Sequence, residues 1–256
     1  MTKYEIVSLA ISVVALLVPI VQLLYKKLFR RQKLKYYPNG KANVFFNQSE
    51  SYVRIDGAFE AINESISIKR INLKVIRKSN NEQLNLTWSA FISPFTQRIM
   101  NASTHATELP HAFKIEKNNV AAIFIEFADA LNTPWKKFNS LTPELIKKAN
   151  ELLIFCKDYN QALTQYAESD IYKNAKAKWE KELFWEIGKY ILEITVFFNN
   201  KSKNFSYEID ITQSMYNNLN SNIDESLISI LKSAYGVKYD YHCEEIELHT
   251  KEKDFL

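Results

Sequence analysis

The longest apolar run in the chain has no period at all. Ile6 to Tyr25, IVSLAISVVALLVPIVQLLY, is uncharged for twenty residues, and thirteen of these are Leu, Ile or Val. At 1.5 Å rise per residue a helix of that length covers about 30 Å, the thickness of a bilayer hydrocarbon core. Each aliphatic side chain favours insertion by roughly 0.3 to 0.6 kcal/mol near the helix centre, which outweighs Ser8, Ser12 and Gln22. Pro19 removes one backbone hydrogen bond, a defect membrane helices tolerate. A transmembrane helix over 6–25 is predicted, behind a short non-cytoplasmic stretch 1–5. A cleaved signal peptide wants positive charge before its apolar core and small residues after it; here Lys3 faces Glu5, and the exit reads Tyr25-Lys26-Lys27. A buried helix of a soluble core would show a polar face, and this segment has none.

Behind a basic juxtamembrane linker, 26–40, the pattern switches to a period of two. YYPNG (Tyr36 to Gly40) reads as a turn. Val53, Ile55, Gly57, Phe59 and Ala61 then alternate with Arg54, Asp56 and Glu60, and a second strand spans Ile66 to Arg77. Ser79 to Glu82 turns the chain into a third strand through Leu84, Leu86 and Trp88. The polar stretch from Gln97 to Pro110 reads as a loop. Phe113 and Ile115 make a short strand, Lys117-Asn118-Asn119 a turn, and Val120 to Phe127 a nearly continuous apolar strand that belongs at the centre of a sheet.

From Thr142 the spacing becomes helical. Thr142 can cap, Pro143 suits the first turn, and Leu145, Ala149, Leu152, Cys156, Tyr159 and Leu163 recur every three or four residues. A second helix after Ser169 carries Ile171, Ala175, Trp179 and Leu183. The two predict a helical hairpin inserted at about 141–186. Alternation returns over Tyr190 to Phe198 and, after NNKSKN, over Phe205 to Ile211. The region 41–212 is therefore expected to be an antiparallel immunoglobulin-like β-sandwich interrupted by the hairpin. The remainder, 213–256, is expected to hold a helix over Asp224 to Tyr235, stopped by Gly236, and a charged tail with one edge strand within Lys238 to Leu248.

Charge sets the orientation. Lys26, Lys27, Arg30, Arg31, Lys33 and Lys35 follow the apolar run within ten residues, so the carboxyl side is expected in the cytoplasm, with these side chains touching anionic lipid. Six N-x-S/T triplets, at Asn47, Asn63, Asn85, Asn101, Asn200 and Asn204, could mark a glycosylated exterior, but Asn is abundant enough to generate several by chance. Two cysteines, Cys156 and Cys243, make no disulfide framework. From residue 36 onward 26 Lys or Arg stand against 28 Asp or Glu, so the overall +4 belongs to the anchor region and nucleic acid is an unlikely partner. Four glycines are too few for phosphate-cradling loops. The Asn, Lys and Ile richness points to a low-GC, bacterial coding sequence.

Catalytic chemistry finds little support. Asp240, His242, Cys243, Glu244, Glu245 and His249 are ligand and nucleophile types in one segment, but their spacing matches no zinc pattern, and alternation along a strand would turn His242 away from Cys243. His105 and His111 flank a loop with Glu108, and Asp56, Glu116 and Lys117 form the kind of acidic pair with lysine that charged sheets produce easily. Trp179, Phe184 and Trp185 read as core or as a partner groove. No enzyme activity, cofactor or metal is expected.

Gly57 to Val75, GAFEAINESISIKRINLKV, resembles the second and third strands of immunoglobulin-like domains, without their Cys…Trp…Cys signature. The layout of apolar run, KKLFRRQKLK and sandwich resembles small membrane-anchored effectors of bacterial anti-phage systems, including those paired with retrons or nucleotide signals. That resemblance implies a single-pass inner-membrane protein that perturbs the membrane and arrests growth in antiviral defence. The alternative is a membrane scaffold or adaptor that recruits a cytosolic protein partner through its sandwich. Self-association through the anchor would use Ser8, Ser12, Leu16, Pro19 and Gln22.

Overall fold

The computed structural model describes residues 2–29, 31–47, 51–99, 102–129, 136 and 139–250. Helix α1, Lys3–Phe29, runs unbroken through Pro19. Within it Val7–Tyr25 is long and apolar enough to cross a membrane, and none of that window is buried against the rest of the chain. Ser12 Oγ donates to the Ser8 carbonyl at 2.9 Å, so this hydroxyl is satisfied inside the helix.

Strand β1, Lys33–Phe46, begins almost at once, which corrects the expected linker over 26–40. Leu34, Tyr36, Ala42, Val44 and Phe46 are buried. The expected turn at YYPNG is an irregularity inside this strand. The register slips between Pro38 and Ala42, Gly40 supplies φ +89, and Asn39 Oδ1 accepts from the Lys41 amide at 2.9 Å. The turn residues are real signals, but they bend one strand and do not end a linker.

Ten more strands follow: β2 Ser51–Ile62, β3 Ile66–Arg77, β4 Gln83–Ile99, β5 Ala102–Glu108, β6 Phe113–Ile115, β7 Val120–Ala128, β8 Gly188–Phe198, β9 Lys201–Ile211, β10 Glu244–Glu247 and β11 His249–Thr250. All pair antiparallel in one sheet of order β10-β1-β2-β7-β4-β3-β8-β9-β11, with β5 on β4 and β6 on β3. The two-sheet immunoglobulin-like sandwich is therefore corrected to a single curled sheet, nearly a barrel. Alternation alone specifies that one face of each strand is buried; it does not say whether the buried faces belong to two sheets or to one closing on itself. The stretch after Gln97 expected to be a loop is the β4–β5 hairpin.

Closure depends on the last described segment. β10 pairs with β1 through Lys41 to Val44, and one residue later β11 pairs with β9 through Glu208 and Tyr207. Between them the Leu248 amide donates to the Gly40 carbonyl at 2.8 Å. Across the same seam the Tyr36 ring meets Phe205 and Tyr207, centroids 5.6 and 5.9 Å apart, and Phe59 at 5.0 Å. Burial pushes the Tyr36 phenol far up from its ordinary value, and its hydroxyl donates to the Asp56 carbonyl at 3.2 Å. Gly57 gives the ring its room. The interior is filled: the space among Tyr36, Ile55, Phe59, Ile71, Ile125 and Ile194 is about 10 Å³, at the lower limit for one water.

Further helices fully within the described residues are α2 Thr142–Phe155, α3 Tyr159–Glu168, α4 Asp170–Glu180 and α5 Gln213–Tyr235. Over 142–180 the expected two-helix hairpin is three helices, α2 to α4, because Asp158 is extended and caps α3 by accepting from the Gln161 amide, and Ser169 caps α4 the same way. α5 starts at Gln213, eleven residues before the predicted Asp224. Its first half, SMYNNLNSN, is polar, yet Leu219, Ile223, Leu227 and Leu231 fall every four residues and are all buried. Gly236 ends it at φ +67, as its position predicted.

The helices gather at the barrel end opposite Lys33. Trp179 packs on Phe46, and buried Arg77 pairs with Glu82 and Glu186 while donating to the Phe184 carbonyl. Gly57→Ala tests the barrel packing, because a Cβ there would lie 2.5 Å from the Tyr37 carbonyl oxygen and 2.7 Å from the Tyr36 ring. Overpacking of this kind costs about 1–3 kcal/mol, expected as a lowered denaturant midpoint with unchanged slope.

Candidate functional site

Four places in the fold carry chemistry or an unusual surface. The first is helix α1. A straight helix places Ser8, Ser12, Pro19 and Gln22 on one side, with Leu16 at its flank, and all five are exposed. Helical spacing thus groups the small and polar residues named from the sequence, as interfaces between membrane helices require. Of the six expected lipid-contacting cations, Lys26 and Lys27 lie on the last turns of α1, and Arg31, Lys33 and Lys35 are exposed at and just before the start of β1. Arg30 lies outside the described residues.

The second is the segment from Asp240 to His249. Tyr241 to Cys243 are not in a strand, so the alternation argument against pairing His242 with Cys243 does not apply there. A different contact organises them. Asn222 on α5, 0% exposed, donates through Nδ2 to the carbonyls of Phe46 and His242 at 3.0 and 2.8 Å, and its Oδ1 accepts from the His242 amide at 2.7 Å. This latch ties the end of β1 and the approach to β10 onto one helix. The segment's backbone is held, and its side chains diverge: Glu244 accepts from Asn218, Glu245 pairs with Lys41, and the Asp240 amide donates to Glu225. Cys243 is exposed as a residue, but burial of its thiol pushes the pKa up, and Glu244 adds to this. Arg54 and a hydrogen bond with Tyr52 pull the other way without reversing the shift. A catalytic cysteine needs the opposite shift. Among the described residues no group of three or more His, Cys, Asp or Glu could hold a metal ion.

The third is the wall where β4 leaves the barrel. β3 pairs with β4 from Asn72 to Ile76 and with β6 from Ile66 to Ile68, leaving Lys69 to Ile71 without a strand partner on that side. An open depression of about 280 Å³ lies there, lined by Lys69, Arg70, Asn72, Trp88 and His111. The His111 ring packs on Phe91 at 5.1 Å, and its Nδ1 is 3.1 Å from the Leu109 carbonyl. The side chain of His105 lies outside the described residues. Among the described residues no nucleophile or general base is assembled around His111. Asp56 and Glu116 are separate as well: Asp56 receives Asn39, while Glu116 receives Ser65 and pairs with Lys114.

The fourth is α2. Leu145, Ala149 and Leu152 are buried as the sequence predicts, while Ile146, Leu153, Ile154 and Phe155 are exposed, the last two by 77% and 82%. The sequence reading followed the buried stripe and passed over these exposed positions, which spread around the rest of the helix. LLIF at the helix end is their signal, four apolar residues in a row that one helix face cannot bury together. Trp179 and Trp185 are core, the second against Phe184 and Tyr190.

No protein-family model matches the chain, and no curated protein is significantly similar to it. The raised thiol gives a direct test. Alkylation of Cys243 by iodoacetamide at neutral pH is expected to be slower than that of an unperturbed peptide thiol, and to keep rising with pH after the peptide thiol has levelled off. A fast reaction that is already flat at neutral pH would mark an activated thiolate.

Proposed function

We propose that the chain is a single-span inner-membrane protein, amino terminus outside, whose cytoplasmic barrel works by binding a cytosolic protein partner and not by catalysis. The observation that carries this is the pair of large apolar side chains left in the open at the end of α2, Ile154 and Phe155, 77% and 82% exposed on the helical cap. A patch of large apolar side chains is costly to leave in water and is typical of interaction sites. Burying Ile154 and Phe155 in a partner would contribute about 1.5–3 kcal/mol each. The filled barrel interior leaves no room for a small-molecule ligand, so the barrel serves as a rigid support.

A second reading keeps the anchor as the working part: an effector, in anti-phage defence or a similar response, whose clustered helices perturb the bilayer. It draws support from the short connection between α1 and β1, which would force any clustering of barrels onto the helices, and from the shared side of Ser8, Ser12, Pro19 and Gln22.

The two readings predict different losses. Replacing Ile154 and Phe155 with Asp in the full-length protein is expected to abolish capture of a defined cytosolic protein while leaving the thermal transition within a few degrees; capture that survives the change sinks the docking reading. Under the effector reading, overproduction depolarises cells and Leu16→Arg abolishes this, because a central Arg costs insertion about 2.5–3.5 kcal/mol. Polarised, growing cells on overproduction of the unaltered protein would contradict it.

A further inference from the structure

The barrel end nearest α1 is built from turns brought together by the antiparallel order. Lys33 starts β1 opposite Ile62, the β2–β3 turn holds Asn63 to Ser65, the β6–β7 turn holds Glu116 to Asn119, and the β8–β9 turn is Asn199-Asn200. Asn63, Asn118, Asn199 and Asn200 all have positive φ, between 42 and 71°, where Asn is tolerated better than other side chains. Their amides knit the turns together. Asn118 Oδ1 accepts from the Asn63 amide at 3.1 Å, Asn199 Oδ1 from the Ser67 amide at 3.1 Å, and Asn63 Nδ2 donates to the Arg31 carbonyl at 2.9 Å. Gln32 Nε2 donates to the Ser65 carbonyl at 2.9 Å. The result is a fixed platform.

Lysines stand on it. Lys33, Lys69, Lys117 and Lys201 are exposed, and among the described residues none has an ion-pair partner; Lys69 Nζ reaches only the neutral Asn200 side chain, at 3.3 Å. Of the acids at this end, Glu116 is matched by Lys114, Glu60 accepts from the Tyr37 hydroxyl, and Glu64 is exposed in its turn. These four lysines outnumber Glu60 and Glu64, the carboxylates at this end that Lys114 does not match, so the rim is locally positive. Its position follows from the chain. Residues 30 to 32 alone separate Phe29 from Lys33, four Cα steps that reach at most about 14 Å.

We propose that this rim rests on the anionic headgroups of the leaflet that α1 leaves, with Lys69, Lys117 and Lys201 extending the contact begun by the juxtamembrane cations. The inference rests on α1 being a membrane anchor. Charge complementarity fixes the partner as a lipid surface: a cation close to an anionic leaflet is attracted within about one Debye length, and the tether keeps the rim within that range.

The test is hydrogen exchange of the full chain in nanodiscs, of zwitterionic lipid or with about 30% anionic phosphatidylglycerol, an anionic content high enough to attract a basic surface. Amides in 63–65, 116–119 and 199–203 are expected to exchange about tenfold more slowly in the anionic discs, and high salt should remove the difference. Changing Lys69, Lys117 and Lys201 together to Gln should remove it too, with β8 and α5 exchanging as before. If that variant loses protection in β8, the salt dependence of the unaltered protein decides. Equal exchange in both discs overturns the rim contact and leaves the anchor standing. Failure to enter either disc overturns the anchor and the contact with it.

Discussion

Residues 30 to 32 are the constraint on which the arrangement turns. On one side is a helix with no polar face, and on the other is β1, which pairs with β2 along most of its length and receives β10 beyond its bulge. β1 also carries Tyr36 into the interior and ends at Phe46, where Trp179 and Asn222 bring in the helices. One strand therefore links the anchor, the barrel seam and the helical cap. Any force on the helix is passed to the seam, and the seam is held by a carboxyl-terminal segment that bridges β1 and β9.

The molecule has polarity as a consequence. The rim beside α1 is basic, and its turns are fixed by asparagine side chains. The opposite end is closed by α2 to α5 and bears Ile154 and Phe155 in the open. Between them the interior is packed with aromatic and aliphatic side chains. The barrel holds the two ends apart, and under the proposed function one end meets lipid and the other meets protein.

Much of this was legible in the sequence, and the gaps have physical reasons. The long apolar helix follows from twenty uncharged residues, and the strands from Val53 through Val75, the central strand at Val120 and the hairpin from Tyr190 to Ile211 follow from spacing that burial imposes directly. Closure of the sheet did not follow, because a strand's alternation is the same in a sandwich and in a barrel. β1 was missed since Pro38, Asn39 and Gly40 read as an end when they mark a bulge. The early turns of α5 were missed because their polar residues hid a four-residue apolar spacing. At the sites, the juxtamembrane cations were visible as a run, whereas Lys69, Lys117 and Lys201 are far apart in sequence and meet only through topology; KNN and NNK, lysine beside a left-handed turn, were the available signals.

The proposed seating of the barrel directly against the leaflet from which α1 emerges is a matter of distance. Neutron reflectometry of the full-length protein in a supported anionic bilayer measures this distance. Protein density should begin at the headgroups, with the barrel continuous with the interface and any water layer thinner than about 14 Å, the reach of the connection from Phe29 to Lys33. A thicker hydrated gap, or protein density with no component crossing the hydrocarbon, would contradict the account.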